Sequence, residues 1–274
     1  MIPFSVCMSV YRKDKPADFR VAVESIYHQS VVPDEIILVV DGPVPPALDE
    51  VIGELQDRIE ILKVIRLAEN KGHATARQTG LEHAGCELVA IMDSDDISLP
   101  NRFEKQVCIF ESDPTVSVVG GLIAEFRHLP EQIVGVRSVP EHDREIKRYL
   151  KSRCPMNLVS VMMRKKDIQD VGGYIDWYCE EDYYLWVRLA VGDNHRFYNI
   201  QENLVFVRVG DEMYQRRGGW RYFKSEAALQ KYMWRHRIIS LPRLVFNVSG
   251  RFAVQVMMPN KVRGFVFRKL FRKQ

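Results

Sequence analysis

Four short apolar runs, each followed by a stretch of helical periodicity, occupy the first 110 residues: Phe4–Val10, Glu35–Val40, Ile61–Leu67 and Leu88–Met92. Two of them, EIILVV and LVAIM, are almost unbroken by polar residues. A strand with one wet face alternates apolar and polar side chains, whereas a continuous apolar run has to be buried on both faces. Helices on both sides of a parallel sheet provide that cover. Helical patterns fall where the crossovers are needed, over Asp18–Gln29, Ala47–Ile59, Thr75–Ala84 and Arg102–Phe110. The N-terminal half therefore reads as a mainly parallel, Rossmann-like α/β sheet. After Val116 the rhythm changes. VSVVGGLIAEF and NLVSVMMRK read as strands, Cys179–Ala190 as a helix with Leu185, Trp186 and Leu189 on one face, and Arg196–Val209 as extended chain. This second half is expected to be mixed α/β.

Open α/β sheets bind ligands at the carboxyl ends of their strands. Asp41 follows EIILVV, and Asp93, Asp95 and Asp96 follow LVAIM, so both acidic sites are expected on one rim. Crowded carboxylates repel and need a positive partner. An Asp-x-Asp leaving a strand suits Mg²⁺ or Mn²⁺, which take one or two carboxylates and complete their shell with water and substrate phosphates. The alternative is a solvated acidic turn ahead of the next helix, with Pro100 near its start. A second acidic run, Glu180-Glu181-Asp182, opens the helix near 180. The helix dipole favours acids there whatever the function. The same field keeps a carboxylate ionised and able to accept a hydroxyl proton. Two acidic centres, one for metal and one for proton removal, suit group transfer from a diphosphate donor.

Composition narrows the classes. No uncharged apolar run reaches 18 residues, which argues against a transmembrane helix. The N-terminus MIPFSVCMSVYRKDK puts its apolar part before its charges, the reverse of a signal peptide, so cytosolic residence is expected. The five cysteines and seven histidines lack metal-site spacing, and the cysteines read as reduced, mostly buried thiols. The net charge of +3 hides an asymmetry. Residues 216–274 hold fifteen Lys/Arg against one acid, Glu226, leaving the first 215 residues at −11. A basic tail on an acidic body points to an anionic surface, membrane or nucleic acid.

Four segments in order resemble the bacterial family 2 glycosyltransferases of the GT-A nucleotide-diphospho-sugar fold. They are SVCMSVYRKDKPADFRVAVESIYHQSVVPDEIILVVDG, NKGHATARQTGL, VAIMDSDDISLPNRFEKQV, and GGY followed by EEDYYLWVRL. The resemblance covers roughly residues 3–210 and implies a catalytic domain over 1–215 and a basic amphipathic helical region over 216–274. It further implies a role for each matching residue. Tyr11, beside Ser9 and Val10, flanks the uracil, or is a plain strand-end aromatic. Asp41 accepts a hydrogen bond from the base, Arg77 reaches the nucleotide, and Lys71-Gly72 brings backbone near the donor. Asp93 approaches ribose or metal, Asp95 ligates Mn²⁺ or Mg²⁺ between the donor phosphates, and Asp96 orients a water or the donor sugar. Asp182 is the general base with Glu181 beside it; Glu180 leaves a one-residue register alternative. Arg216 and Arg217 close over the diphosphate, or belong to a basic linker. The chain departs from the family in reading Val-Asp-Gly-Pro where Asp-Asp-Gly-Ser is common. The implied reaction is a single displacement with inversion at the anomeric carbon.

In the tail, Arg243, Asn247, Arg251 and Gln255 lie four apart, with Leu241, Val245, Val248, Phe252 and Val256 around much of the other side. Such a helix, followed by NKVRGFVFRKLFRKQ, fits the anionic inner face of the cell membrane; packing on the catalytic domain is the alternative. No nucleic-acid recognition motif accompanies the charge. The family resemblance then implies a UDP-hexose donor, galactose or glucose, and a polyprenyl-diphosphate-linked sugar acceptor in O-antigen or capsule synthesis. Two other readings stay open: another donor such as dTDP-rhamnose, and a sugar-nucleotide-binding scaffold without turnover. A nucleotidyltransferase would carry a Gly-rich loop after its first strand, which SVYRKDKP lacks.

Overall fold

The computed structural model describes residues 1–210 and 218–257. Strands β1 (Phe4–Val10), β2 (Glu35–Val40), β3 (Leu62–Arg66) and β4 (Leu88–Met92) are parallel and lie side by side as β3-β2-β1-β4. Their crossovers are α1 (Pro16–Tyr27), α2 (Pro46–Arg58) and α3 (His73–His83). Alternation along the strands creates two cores. Ile36, Leu38 and Val40 of β2 face one side, with Phe19 and Ile26 of α1 and Leu48 and Ile52 of α2. Ile37 and Val39 face the other, with Ala76 and Leu81 of α3. All six residues of β2 are buried, as the continuous apolar run requires.

Beyond β4 the sheet becomes mixed. The chain continues through β5 (Ile97–Ser98), α4 (Arg102–Ser112), β6 (Val116–Phe126), β7 (Ile133–Arg137), α5 (Asp143–Leu150), β8 (Met162–Arg164), α6 (Lys165–Asp170), α7 (Glu181–Leu189) and β9 (Arg196–Arg208). The full sheet order is β3-β2-β1-β4-β8-β6-β9-β5, with β7 attached to β6. β8 is antiparallel to both β4 and β6, and β9 is parallel to β6.

The expected strand NLVSVMMRK is only partly a strand. Leu158–Ser160 is a 3₁₀ turn, β8 covers three residues, and Lys165 already opens α6. The polar residues divert it: Asn157 Nδ2 donates to Gly121 O at 2.8 Å, and Ser160 Oγ bonds Gly121 O and Asn157 O. Side-chain bonds of this kind compete with a ladder. The stretch after Gly219 is helical, as expected of this region: α8 (Trp220–Arg235) precedes α9 (Leu241–Phe252) and a π-helical turn, Ala253–Met257. Leu229 and Met233 of α8 are fully buried in the same core as Trp186 of α7. α8 thus shares the core beneath the sheet.

Candidate active site

Register sets the site. Val10 pairs with Val40 and Met8 with Met92, so β1, β2 and β4 end along one rim. After β1 the chain steps outward through β2 and β3, then returns to place β4 on the other side of β1. That reversal opens the crevice where α/β sheets take ligands. Tyr11, Asp41 and Asp93 each follow one of these strand ends.

Asp41 organises the loop opposite. Its Oδ1 accepts the Lys71 N–H at 2.7 Å, and its Oδ2 accepts Asn70 Nδ2 at 2.8 Å and the Gly72 N–H at 3.0 Å. One lone pair on Oδ1 remains for a ligand. Gly42 turns the chain beneath it at φ +83, where a Cβ would lie 2.5 Å from the Asn70 nitrogen, so only glycine fits. Tyr11 packs edge-on to His73, ring centres 6.2 Å apart, at the mouth of the same loop.

The 93–96 segment is held from several sides. Asp14 Oδ2 accepts the Tyr11 N–H at 3.0 Å and the Ser94 hydroxyl at 2.9 Å, which sets a further carboxylate beside Asp93 and Asp95. Arg208 donates its N–H to Asp96 Oδ1 at 2.8 Å and its Nε–H to the Asp95 carbonyl at 3.2 Å. Asp96 is 3% exposed. It anchors the end of β9 through the Arg208 N–H. Behind the segment, buried Arg102 donates to the Ile91 and Val161 carbonyls and ties β4 to the turn ahead of β8.

Arg77 joins the two acidic centres. Its Nη1 donates to Glu181 Oε1 at 2.7 Å and its Nη2 to Asp93 Oδ1 at 3.3 Å. The guanidinium is 10% exposed. Burial alone would depress its pKa; Asp93 and Glu181 outweigh that and hold it charged.

The three acids at the start of α7 have different surroundings. Glu180 is buried, and the Tyr222 hydroxyl donates to it from α8. Glu181 is paired with Arg77, yet burial and the neighbouring Asp182 hold its carboxyl above the usual range. Asp182 accepts the Tyr183 N–H at 2.7 Å and the Cys154 thiol at 3.7 Å, and among the described residues no cation pairs with it. Cys179, just ahead of them, sits at φ +57, a left-handed conformation uncommon for a side-chain-bearing residue and often found at functional sites. Burial, then Asp182, pushes the Cys154 thiol up, so it stays a neutral donor. Arg216 and Arg217 lie outside the described residues.

Sequence reasoning missed Asp14, Arg208, Asn70 and Cys154. Asp14 sits in the charged loop YRKDKP, which looks like solvated surface, and the others come from segments far apart in the chain.

The profile of Glycosyl transferase family 2 matches residues 5–172, from β1 through the end of α6. The chain belongs to glycosyl transferase family 2. The similarity to individual members runs past α7 to the C-terminal helices. An Escherichia coli UDP-Gal:alpha-D-GlcNAc-diphosphoundecaprenol beta-1,3-galactosyltransferase is 36% identical, with 98% of this chain and 97% of that protein covered. The amylovoran biosynthesis glycosyltransferase AmsE of Erwinia amylovora is 34% identical over 97% and 98%. Among solved structures, a Pyrobaculum calidifontis mannosyltransferase in complex with GDP-Man and Mn²⁺ superposes with TM-score 0.63 at 15% identity, covering 98% of this chain and 80% of that one. The fold is therefore GT-A, as the family resemblance implied.

A divalent cation fits this family 2 rim. Among the described residues no three His, Cys, Asp or Glu side chains cage a metal unaided. Asp14, Asp93 and Asp95 lie together beyond β4, and an ion that takes one or two carboxylates completes its shell with water and substrate phosphates. Asp95, with Asp93, would hold it. Burial, then Asp93 and Asp14, pushes the Asp95 carboxyl up to about 6 against the opposing pull of Arg208. The sign follows from linkage. The folded state holds this proton at a pH where the unfolded chain has lost it, so stability falls as pH rises through roughly 4–6. Without ligand, Asp95→Asn is expected to be the more stable protein at pH 7.5, by on the order of 1–3 kcal/mol, and to match the parent near pH 4. Thermal melts at the two pH values check this.

Proposed function

We propose that this family 2 enzyme is an inverting, metal-dependent hexosyltransferase of bacterial surface-polysaccharide synthesis. In this reading it moves galactose or glucose from a UDP-sugar to a polyprenyl-diphosphate-linked sugar. One observation carries the reading. Two acidic centres share a rim and are bridged by Arg77, one a crowd of carboxylates, the other ending in a carboxylate that no cation of the described residues pairs with. The polysaccharide context and the UDP-galactose preference come from the relatives' activities, which is analogy.

Each residue then has a task. Asp41 and the loop it fixes, residues 70–72, present backbone and one open lone pair to the base, with Tyr11 at its edge. Asp93 and Asp95 hold the cation, which supplies positive charge against the donor diphosphate. Asp182 takes the acceptor hydroxyl proton. The freed oxygen bonds the anomeric carbon from the face opposite the diphosphate. The carbon–oxygen bond to the diphosphate breaks, and its electron pair leaves on the nucleoside diphosphate. Arg77 keeps the two halves in register and adds a fixed positive charge between them.

Calorimetric titration of UDP tests the nucleotide half. With Mn²⁺ present, binding is expected; with EDTA it should weaken sharply. Asp95→Ala should lower the Mn²⁺-dependent affinity by at least about tenfold, or 1.4 kcal/mol. Undiminished binding in EDTA would remove the metal from the reading. A panel of UDP-sugars under the same conditions then identifies the hexose, with dTDP-rhamnose as the competing donor.

A further inference from the structure

Helix α9 is amphipathic in the wrong sense for a protein in water. Its polar stripe faces inward. Asn247 donates to the Lys151 carbonyl at 2.9 Å and to Gln230 Oε1 of α8 at 2.7 Å. Arg251 pairs with buried Glu226 and donates to the Ser152 carbonyl at 2.7 Å, and Gln255 donates to Glu226 at 2.9 Å. The apolar residues point outward: Val245 is 58% exposed, Phe246 70% and Met257 71%, with Leu241, Phe252 and Val256 also open. A surface helix normally does the reverse. Such a face implies a partner that removes it from water.

The charge around the face says which partner. The exposed Lys and Arg of α8, the following turn and α9 are Arg221, Lys224, Lys231, Arg235, Arg237 and Arg243. The only acid in residues 218–257, Glu226, is buried against Arg251. Trp220 and Trp234 are exposed on the same helix pair, and Trp220 stacks on Phe223 beside Phe252. Exposed apolar side chains, exposed tryptophan and an excess of lysine and arginine on one helix pair are the composition that an anionic lipid interface takes. Beyond Met257 the sequence adds six more Lys/Arg and no acid. No helix among the described residues is long and apolar enough to cross a membrane.

We infer that the outward face of α9 and its π-helical turn lies in the headgroup region of an anionic bilayer, with α8 linking it to the acidic end of α7. The link is direct. Trp177 Nε1 donates to the Ser225 carbonyl at 3.2 Å, Ser225 Oγ donates to the Tyr178 carbonyl at 2.8 Å, and Arg221 lies 4.0 Å over the Tyr178 ring. With Tyr222 on Glu180, the first turns of α8 hold the whole approach to α7. A lipid-seated α9 therefore places the Asp182 end of the crevice beside the membrane. The inference does not depend on which sugar is moved.

Flotation of the full chain with vesicles tests it. The parent is expected to float with phosphatidylglycerol-containing vesicles and to stay behind with phosphatidylcholine alone. Val245→Glu/Phe246→Glu, at two positions already in solvent, should lower the bound fraction by roughly tenfold or more. Its circular dichroism and its turnover on a short, water-soluble acceptor should stay at parental values. A variant that floats like the parent overturns the inference. So does a parent that ignores anionic vesicles, or one whose dimer in lipid-free sedimentation is dissolved by the double substitution, because then a second copy covers the face. Loss of turnover on the soluble acceptor in the parent itself would count against the proposed reaction and leave the flotation result intact.

Discussion

Asp182→Asn is expected to slow sugar transfer by roughly 10²–10⁴-fold and to leave UDP affinity within a factor of about two. The argument starts from the three acids at the head of α7. Glu180 is buried and bonded to Tyr222, and Glu181 is bonded to Arg77, so neither presents a free basic oxygen to an incoming hydroxyl. Among the described residues Asp182 has a backbone N–H and a neutral thiol as hydrogen-bond partners, and both are weak competitors for its lone pairs. Asparagine keeps the shape and the carbonyl that accepts the Tyr183 N–H, so α7 should form unchanged. It cannot take a proton, and the rate difference corresponds to about 3–5 kcal/mol in the barrier. In the proposed site the donor contacts fall on the other side of Arg77, so they should not be disturbed. The check is single-turnover kinetics beside UDP calorimetry on the same preparation. A variant with near-parental turnover would falsify the assignment, and a parallel loss of UDP affinity would show that Asp182 holds the donor instead.

The rim was legible in the sequence because it depends on local facts. Apolar runs too continuous for a wet sheet fix parallel strands, and acids after those runs must then share an edge; the pairing of Val10 with Val40 and Met8 with Met92 realises that. What could not be read were contacts between distant segments. Arg77 looked like a nucleotide ligand from its loop, yet its partner Glu181 lies 104 residues on. Nothing near Asp96 in the chain points to Arg208, more than a hundred residues later, which bonds it from β9. The stripe Asn247, Arg251, Gln255 was visible as a period of four, but its direction was not. Periodicity gives two faces and says nothing about which one finds Glu226 and Gln230 waiting on α8. The same limit explains NLVSVMMRK, where Asn157 and Ser160 turned towards Gly121 and cut the strand short.

Arg77→Met should be the most damaging single change to stability at this site. The substitution keeps length and apolar stem and removes only the charged fork. Glu181 would then be buried beside Asp182 with no cation, and Asp93 would lose its one paired side. Removing one partner of a buried ion pair typically costs 3–5 kcal/mol. Asp93 keeps 41% of its side chain in solvent, which favours the low end, about 3 kcal/mol. For a domain of this size that is a fall in Tm of roughly 6–10 °C. The pH dependence gives the loss a signature. Glu181 is already held above the usual carboxylate range by burial and by Asp182, with Arg77 pulling the other way. Without Arg77 its folded-state pKa rises further, so the folded variant gains a proton before the unfolded chain does. Its deficit against the parent should therefore shrink as pH falls from 8 towards 5. Arg77→Met/Glu181→Gln should recover part of the loss at pH 8, because it removes the stranded charge along with its partner. Arg77→Lys should sit between the two, since a single ammonium cannot donate to Glu181 and Asp93 at the spacing the guanidinium spans. Equal melting of parent and Arg77→Met across the pH range would show that the two acidic centres stand without the bridge.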